Sequence, residues 1–451
     1  MTRRPAAFVL PIAFAVAVAA IGCRSERPAA ERLIEFMKRQ TERKESARDV
    51  RDDPFLQLAF HGDSAGVRRV LDGDPGAARE HLRARDATGM TALHLAVWGG
   101  HPGIVRLLLD RGADVEARDG GGQTPVSLSA RWGRGDIMDL LIAHGADTSA
   151  RDDQGRTLLH YAAQYDHVDV MRALVASGFD VNVPSHTGDT PLHSASSMIR
   201  RDAARFLLDH HAEPNARGYL GWTPLHVSVV SAPRDTSDAT FVRMLLDHGA
   251  DPNARGTNGI TPLDLASQNR DTTVIALLIA RGARVTTTPK QEFSSLRSAL
   301  NAEDPAAANM LLAHGADPNE LYGPKSTETM LHRAAAMKEL DMARVLLEHG
   351  ADPNRADANG RTPLHVAAYG GPGAMITLLL TYHARVDARD RSNWTPLHIA
   401  AGQENLEAVR ALLHGGADPN ARTKGGDTPL KLAWGASGEK VRTLLQQAGA
   451  R

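Results

Sequence analysis

Histidine is abundant in this chain, so metal binding is the first chemistry to consider. The sequence contains 451 residues and 20 histidines. Seven of these stand three residues after a threonine, and they are His94, His160, His193, His226, His332, His365 and His398. A metal needs converging ligands, and zinc holds its ligand nitrogens at about 2.1 Å. Equivalent positions on packed helices lie roughly 10 Å apart, so we expect no metal site and no cofactor.

Catalytic and nucleic-acid chemistry are also poorly supported. The sequence has no Walker-type phosphate loop and no H-E-x-x-H zinc motif. Gly120-Gly121-Gly122 and Asp152-Asp153 are best interpreted as turn residues. The net charge of −1 gives no strong field that would attract nucleic acid. We therefore expect a protein that is not an enzyme and does not bind nucleic acid.

A repeated phrase organises most of the chain. It begins at ten threonines, most of them 33 residues apart: Thr91, Thr124, Thr157, Thr190, Thr223, Thr261, Thr329, Thr362, Thr395 and Thr428. The best copies read T-P-L-H, as in Thr362-Pro363-Leu364-His365. A fixed period of this size predicts a stacked array of small units instead of one globular core.

The full unit, from Asp357 to Arg389, resembles the ankyrin repeat. The resemblance covers residues 53–451, and it implies a β-turn followed by two antiparallel helices in each repeat. We therefore predict an all-α ankyrin-repeat solenoid with about twelve repeats, including degenerate caps. The resemblance also implies a structural role for the histidine of the phrase, which would bridge to neighbouring backbone and threonine.

Each residue type of the unit has a physical reason. Thr362 suits a helix N-cap, and Pro363 suits the first helical position, where its missing N–H costs nothing. Leu364, with the small Ala367 and Ala368, has the spacing of a packed helix face. Five further histidines stand where the second helix ends and can bind its last carbonyls: His144, His248, His314, His349 and His414.

The repeats fall into blocks. Residues 53–285 form the first block, and residues 329–451 form the second block with a C-terminal cap. Between them, residues 286–328 form a degenerate repeat with irregular edges, where Ser294 replaces the threonine and weak capping is expected. This segment is either a hinge between two stacks or the result of sequence drift.

Aromatic residues and arginines concentrate at one set of positions, although aromatic residues make up only 4% of the chain. In ankyrin arrays, the hairpin tips and the ends of the first helices line a concave groove. The resemblance places eleven partner-binding candidates there: Trp98, Arg131, Trp132, Arg156, Tyr165, Tyr219, Trp222, Arg361, Tyr369, Arg391 and Trp394. Trp, Tyr and Arg are enriched at interface hot spots. The plainer interpretation is that some of them only pack on neighbouring tips.

The N-terminus resembles a targeting signal. Two arginines precede an apolar run from Pro5 to Ile21, which is followed by Gly22 and the only cysteine, Cys23. This pattern is typical of a secretory signal. Ala20-Ile21-Gly22-Cys23 also resembles a bacterial lipobox, which implies a lipoprotein-type signal peptide over residues 1–22 with Cys23 as the lipidation site. A cleaved signal peptide without lipid and an uncleaved anchor remain open. Residues 23–52 are interpreted as a charged tether, or as a helix that packs on the first repeat.

Together these features predict a monomeric interaction scaffold of the bacterial cell envelope. We expect it to face the periplasm, to be attached to the membrane by lipid at Cys23, and to bind a protein partner through its concave face. Secretion or anchoring in the inner membrane would be alternative locations. A host-directed effector, and a regulator or inhibitor of one periplasmic enzyme, are the alternative functions.

The lipid anchor can be tested directly. We predict that Cys23→Ala abolishes incorporation of metabolically supplied palmitate, because Cys23 is the only acylation candidate. The measurement is labelling of the immunoprecipitated protein. Persistent label in the variant would contradict the interpretation.

Overall fold

A computed structural model describes residues 53–231, 239–285, 293–323, 325–434 and 438–451. The expected signal peptide, Cys23 and the charged tether lie outside the described residues. Within the described part, none of the helices combines the length and the apolar character needed to cross a membrane. The chain divides into two compact units, Met1–Thr257 and Asn258–Arg451.

Helices are the regular elements of both units. In the described residues, the first unit contains α1 Pro54–His61, α2 Ser64–Leu71, α3 Pro75–Arg83, α4 Ala92–Gly99, α5 Pro102–Asp110, α6 Pro125–Arg131, α7 Gly135–Ala143, α8 Leu158–Tyr165, α9 Val168–Ala176, α10 Pro191–Ser197, α11 Arg201–Asp209, a 3₁₀ turn Tyr219–Gly221, α12 Pro224–Ser231 and α13 Thr240–Asp247. The second contains α14 Pro262–Gln268, α15 Thr272–Ala280, α16 Ser295–Asn301, α17 Pro305–Ala313, α18 Met330–Met337, α19 Leu340–Glu348, α20 Pro363–Gly370, α21 Gly373–Thr381, α22 Pro396–Gly402, α23 Leu406–His414, α24 Pro429–Leu432 and α25 Gly438–Gln447.

These helices form twelve consecutive pairs, which confirms the predicted all-α repeat architecture. Within each unit, the first helix of a pair packs against the first helices of its neighbours, as α8 does against α6 and α10. Second helices form a parallel layer, as when α21 packs against α23. The repeat pattern does not predict α3, an additional helix inserted where the other repeats have only a turn.

The threonine of the phrase starts the first helix, as predicted. Thr362 has extended dihedral angles, its hydroxyl accepts from the His365 backbone N–H, and Pro363 is the first helical residue. Asp53 takes the same position ahead of α1 and accepts from the Phe55 N–H at 2.8 Å. Capping is not weak at Ser294, contrary to our expectation, because its Oγ accepts from the Arg297 N–H at 3.1 Å.

Six of the seven histidines of the phrase join two repeats. The Thr91 N–H donates to His94 Nδ1 at 3.2 Å, and His94 Nε2 lies 3.1 Å from the Gln123 carbonyl oxygen. Because Nδ1 accepts, the proton of the neutral ring belongs on Nε2, which donates to that carbonyl. The same arrangement recurs, with Nε2–oxygen distances of 2.9 to 3.1 Å, at His160, His193, His332, His365 and His398. The expected structural role of these residues is confirmed.

Histidines at the ends of second helices bind carbonyls of the same helix. The Nδ1 atoms of His144, His248 and His314 lie 2.8 Å from the carbonyl oxygens four residues earlier. This arrangement confirms the predicted C-terminal role for these three residues. His349 differs, because its Nε2 contacts Asn309 Oδ1 at 2.8 Å.

A second ladder of bonds joins the turns that follow the second helices. The Asn354 side-chain amide donates to the His383 carbonyl at 3.0 Å and accepts from the Arg385 N–H at 2.7 Å. Asn319 and Asn420 make the same pair of contacts, each with the backbone of the turn that follows the next second helix. Repeats within a unit are therefore held in register at both edges.

The irregular segment predicted at 286–328 lies inside the second unit, after the boundary at Thr257. Its inserted residues place Tyr322 beside two arginines of the first-helix layer. The guanidinium carbons of Arg333 and Arg297 lie 4.5 and 5.9 Å from the Tyr322 ring centroid. The proposal of a hinge in this segment stays a prediction.

Acid should weaken the histidine bridges. Burial lowers the pKa of His160 to about 4, and burial also lowers the pKa of His94, His193, His332, His365 and His398. An unfolded histidine has a pKa of about 6.5, so the unfolded chain binds more protons below that pH. Stability is therefore complete above pH 6.5 and declines as the pH falls towards 4. For His160 the full loss, reached below pH 4, is roughly 3 kcal/mol, at about 1.4 kcal/mol per pKa unit.

We predict that the melting temperature at pH 5.0 is lower than at pH 7.5. His160→Gln should reduce this pH dependence, whereas His186→Gln, at an exposed position, should retain it. Circular dichroism melts of the three proteins at both pH values test the prediction. An identical pH dependence in all three would contradict it.

Candidate functional site

In the first unit, the candidate aromatic residues at the ends of first helices form a stacked row. The Phe60 and Trp98 ring centroids lie 5.1 Å apart in an edge-to-face arrangement. Trp98 stacks on Trp132 at 5.9 Å, and Trp132 stacks on Tyr165 at 6.3 Å. The spacing follows from the repeat, because the four rings stand within one position of the same register in consecutive repeats. We call these four rings the aromatic row.

Arg131 completes the aromatic row. Its guanidinium carbon lies 5.6 Å from the Trp132 ring centroid and 5.2 Å from the Tyr165 ring centroid. One of its terminal nitrogens donates to Gln123 Oε1 at 3.2 Å. Cation–π contacts of this kind contribute about 0.5–2 kcal/mol, so Arg131 has a structural use even without a partner.

The aromatic row mainly connects repeats. Trp98, Trp132 and Tyr165 are half-buried, and much of each ring face is covered by the next ring. At these three positions the side chains therefore pack on neighbouring repeats, which is the plainer of the two interpretations of the sequence. Only ring edges remain for a partner, and their predicted binding role stays a prediction.

The residue just before the threonine of the phrase was expected to face a partner, but the structure corrects this for Trp222. Its indole is only 5% exposed, and its ring stacks on His226 with a centroid distance of 6.0 Å. The Trp222 carbonyl also accepts from His193 Nε2 at 3.0 Å. Because its side chain lies inside the repeat, we remove Trp222 from the set of surface contacts.

Arg156 is likewise committed to its own repeat. It lies 2.8 Å from Asp152 Oδ2 through Nε and 3.0 Å from the Tyr161 hydroxyl through a terminal nitrogen. Tyr161 donates to the same carboxylate oxygen at 2.6 Å. Burial acts to raise the pKa of Asp152, but the Arg156 charge and the Tyr161 hydroxyl hold it below its usual range. We interpret this trio as a tip support, because Arg156 has little freedom to contact a partner.

Two other candidates are at the surface. Tyr219 lies in the 3₁₀ turn, and 40% of its area is exposed. Arg391 is exposed on a tip whose backbone N–H donates to the Asn359 carbonyl at 3.0 Å. Both are accessible, but neither lines a described groove.

The second unit brings three candidates together in one groove of about 760 Å³. Arg361, Tyr369 and Trp394 line it, with Val366 and Ile399 among its apolar walls. Tyr369 is 64% exposed and the Arg361 side chain is 52% exposed, whereas Trp394 is half-buried. We call this the Tyr369 groove.

Neighbouring residues explain why Tyr369 is exposed while the aromatic row is half-buried. Within two positions of the same register, the adjacent repeats carry Lys338 and Gln403 instead of aromatic rings, and both side chains line the groove. The chain turns away directly after Tyr369 through Gly370, Gly371 and Pro372, which widens a second depression of about 510 Å³. Tyr369 therefore has no ring to stack on.

The backbone around the Tyr369 groove is fixed. The Arg361 and Trp394 carbonyls accept from His332 and His365 Nε2, both at 3.0 Å. Asp390 caps its turn by accepting from the Ser392 and Trp394 N–H groups at 2.8 and 2.9 Å. A partner would meet a prearranged surface, which reduces the entropy cost of binding.

Sequence reasoning missed Trp434, the most exposed large apolar residue of the described chain. Its side chain is 77% exposed, and it follows the short helix α24 in the last repeat. Trp434 stands close to the register of Tyr369, two repeats later, so the same mapping from the threonine could have found it. The last repeat had been interpreted only as a cap.

No arrangement with catalytic geometry stands out. In the described residues, no group of three or more His, Cys, Asp or Glu side chains could hold a metal ion. Gly62-Asp63-Ser64-Ala65-Gly66 has the G-x-S-x-G spacing of hydrolase nucleophiles. That motif requires a strand before the serine, whereas Ser64 here is the first residue of α2, two residues after α1 ends at the cap Gly62. We interpret these five residues as an ordinary connection between α1 and α2.

The comparison with protein families covers nearly the whole chain. The sequence profile of the family described as ankyrin repeats (3 copies) matches residues 19–119, 55–152, 126–218, 173–256, 214–289, 295–390 and 373–451. These overlapping matches agree with the helix pairs of both units.

A pair of substitutions separates packing from recognition. We predict that Trp132→Ala lowers the free energy of unfolding by roughly 2–3 kcal/mol, because it removes two stacked contacts. Tyr369→Ala should change it by less than about 0.5 kcal/mol, as expected for an exposed residue. Urea unfolding of both variants tests this. Equal destabilisation by the two substitutions would contradict it.

Proposed function

This chain belongs to the ankyrin repeat family, and from that premise we propose that it is a scaffold that binds a protein partner through the Tyr369 groove. Ankyrin repeats generally mediate protein binding, and members of the family are generally non-enzymatic. The observation that carries the proposal is the exposure of Tyr369 on a fixed backbone, beside Arg361 and Trp394. Tyrosine, tryptophan and arginine dominate interface hot spots.

The composition of the groove supports this choice over the aromatic row. Exposed rings gain the most when a partner covers them, because burial of apolar area contributes about 25 cal/mol per Å². The rings of the aromatic row already have much of that contact within the fold. Tyr369 does not, so a partner can supply it.

We further propose that the scaffold works at the bacterial cell envelope, facing the periplasm as a monomer held by lipid at Cys23. The support is the sequence alone: two arginines, an apolar run to Ile21 and the single cysteine after Gly22. More than one acyl chain gives stable attachment, whereas a single chain binds only marginally.

Two alternative functions make different predictions. A host-directed effector would be found, unprocessed, in the cytosol of a host cell. A regulator of one periplasmic enzyme would co-purify with that enzyme and change its activity. The tip arginines and aromatic residues are compatible with either function, so identification of the partner would distinguish the two.

Site-specific photo-crosslinking in the producing cells tests the proposal. We predict that a photoreactive amino acid at Tyr369 yields a discrete protein adduct. The matched control is Ile142, which is 39% exposed in the second-helix layer of the other unit. No adduct at Tyr369, or the same adducts at both positions, would contradict a binding role for the groove.

A further inference from the structure

We propose that the partner of the Tyr369 groove is an extended peptide segment with an Asp or Glu side chain between bulky apolar side chains. This inference rests on the proposed function and adds the chemistry of the ligand. It also assigns Lys338 and Trp434, which the sequence did not single out, to the same binding surface.

Exposed apolar side chains define the two ends of this surface. Among large apolar residues of the described chain, Trp434 and Tyr369 are the two most exposed, at 77% and 64%. Both belong to the second unit, and both follow or end a first helix. Exposed aromatic rings of this size are costly in water unless a partner covers them.

The repeat between them is polar at this register. Gln403 is exposed and lines the groove, and the neighbouring Ile399 contributes an apolar wall. Two repeats separate the rings by roughly 20 Å, at about 10 Å for each packed helix. An extended chain covers that distance with about six residues at 3.3 Å each. A helix would need more than twice as many residues, at 1.5 Å each.

The accessible charges at the groove are positive. Lys338 is exposed, and the Arg361 side chain is 52% exposed. The facing carboxylate of Asp390 is only 9% exposed. Its Oδ1 accepts two backbone N–H groups, and its Oδ2 lies 4.0 Å from Arg361 Nε. Glu328 is half-buried at the wall, and the exposed Glu407 lies outside the groove, in the adjoining depression beside Pro372. A ligand carboxylate can therefore reach Arg361 and Lys338 more easily than a ligand cation can reach Asp390.

Arginine and lysine fit this ligand in different ways. The Arg361 guanidinium offers a planar pair of donors that matches a carboxylate. Lys338 is the C-cap residue of α18, with a left-handed φ of 67°, and its side chain presents a flexible point charge. The apolar walls at Val366 and Ile399 exclude water on the other side of the peptide, which strengthens the charge contact.

The test is a random twelve-residue peptide display library, panned on the full-length chain held in detergent micelles. We expect enriched peptides to carry Asp or Glu between apolar residues. Synthetic versions should bind at least tenfold more weakly to Lys338→Glu/Arg361→Glu and to Tyr369→Ala, and several-fold more weakly to Trp434→Ala. Ile142→Ala, at an exposed position of the other unit, should bind like the parent. Melting temperatures of all variants confirm that each is folded.

Failure of this inference can be distinguished from failure of the proposed function. Peptides without acidic residues, or equal binding to the charge-reversal variant, overturn the inference. Failure to enrich any peptide, while the crosslink at Tyr369 captures a protein, also overturns it and leaves the scaffold function intact. Doubling of the mass in light scattering that Trp434→Ala abolishes would assign this surface to a second copy of the chain.

Discussion

The hydrogen bonds that the buried imidazoles make between repeats determine most of the architecture. Each ring accepts from the threonine of its own repeat and donates to a carbonyl 29 residues onward, as His365 does to Trp394. Since each bond fixes the tip of the following repeat, the side chains on that tip inherit a defined position. The surface formed by these tips therefore depends on hydrogen bonds that are buried between the repeats.

Three repeats that lack the histidine make a different polar contact at its position. Thr124 pairs with Ser127 through their hydroxyl groups at 3.1 Å. Asp264 stands in the histidine position and accepts from the Ser295 hydroxyl of the next repeat at 2.7 Å. In the irregular segment, Arg297 occupies that position, 3.7 Å from Glu320. A buried polar group needs a partner, and Asp264 thereby keeps a connection to the next repeat, whereas the Thr124–Ser127 contact lies within one repeat.

Prediction from sequence succeeded where a residue's role is set within its own repeat. Thr362, Pro363 and Leu364 were placed correctly because capping and burial depend on local spacing. It failed where the neighbouring repeat decides the outcome. Trp222 and Trp394 hold the same position before the phrase, yet Trp222 is buried and Trp394 is half-buried. The helix α3 was missed because its composition, with Pro75 and Gly76, resembles a turn.

The same dependence on neighbours explains where a partner surface can arise in a repeat protein. Where aromatic residues recur in consecutive repeats, as from Trp98 to Tyr165, their rings stack on one another and stabilise the array of repeats. The Tyr369 ring, flanked by Lys338 and Gln403, stays exposed. Under the proposed function, interruption of an aromatic series, and not the number of aromatic residues, creates the binding surface. By this reasoning, an aromatic residue placed at Gln403 would stack on Tyr369, bury it and close the groove while stabilising the second unit.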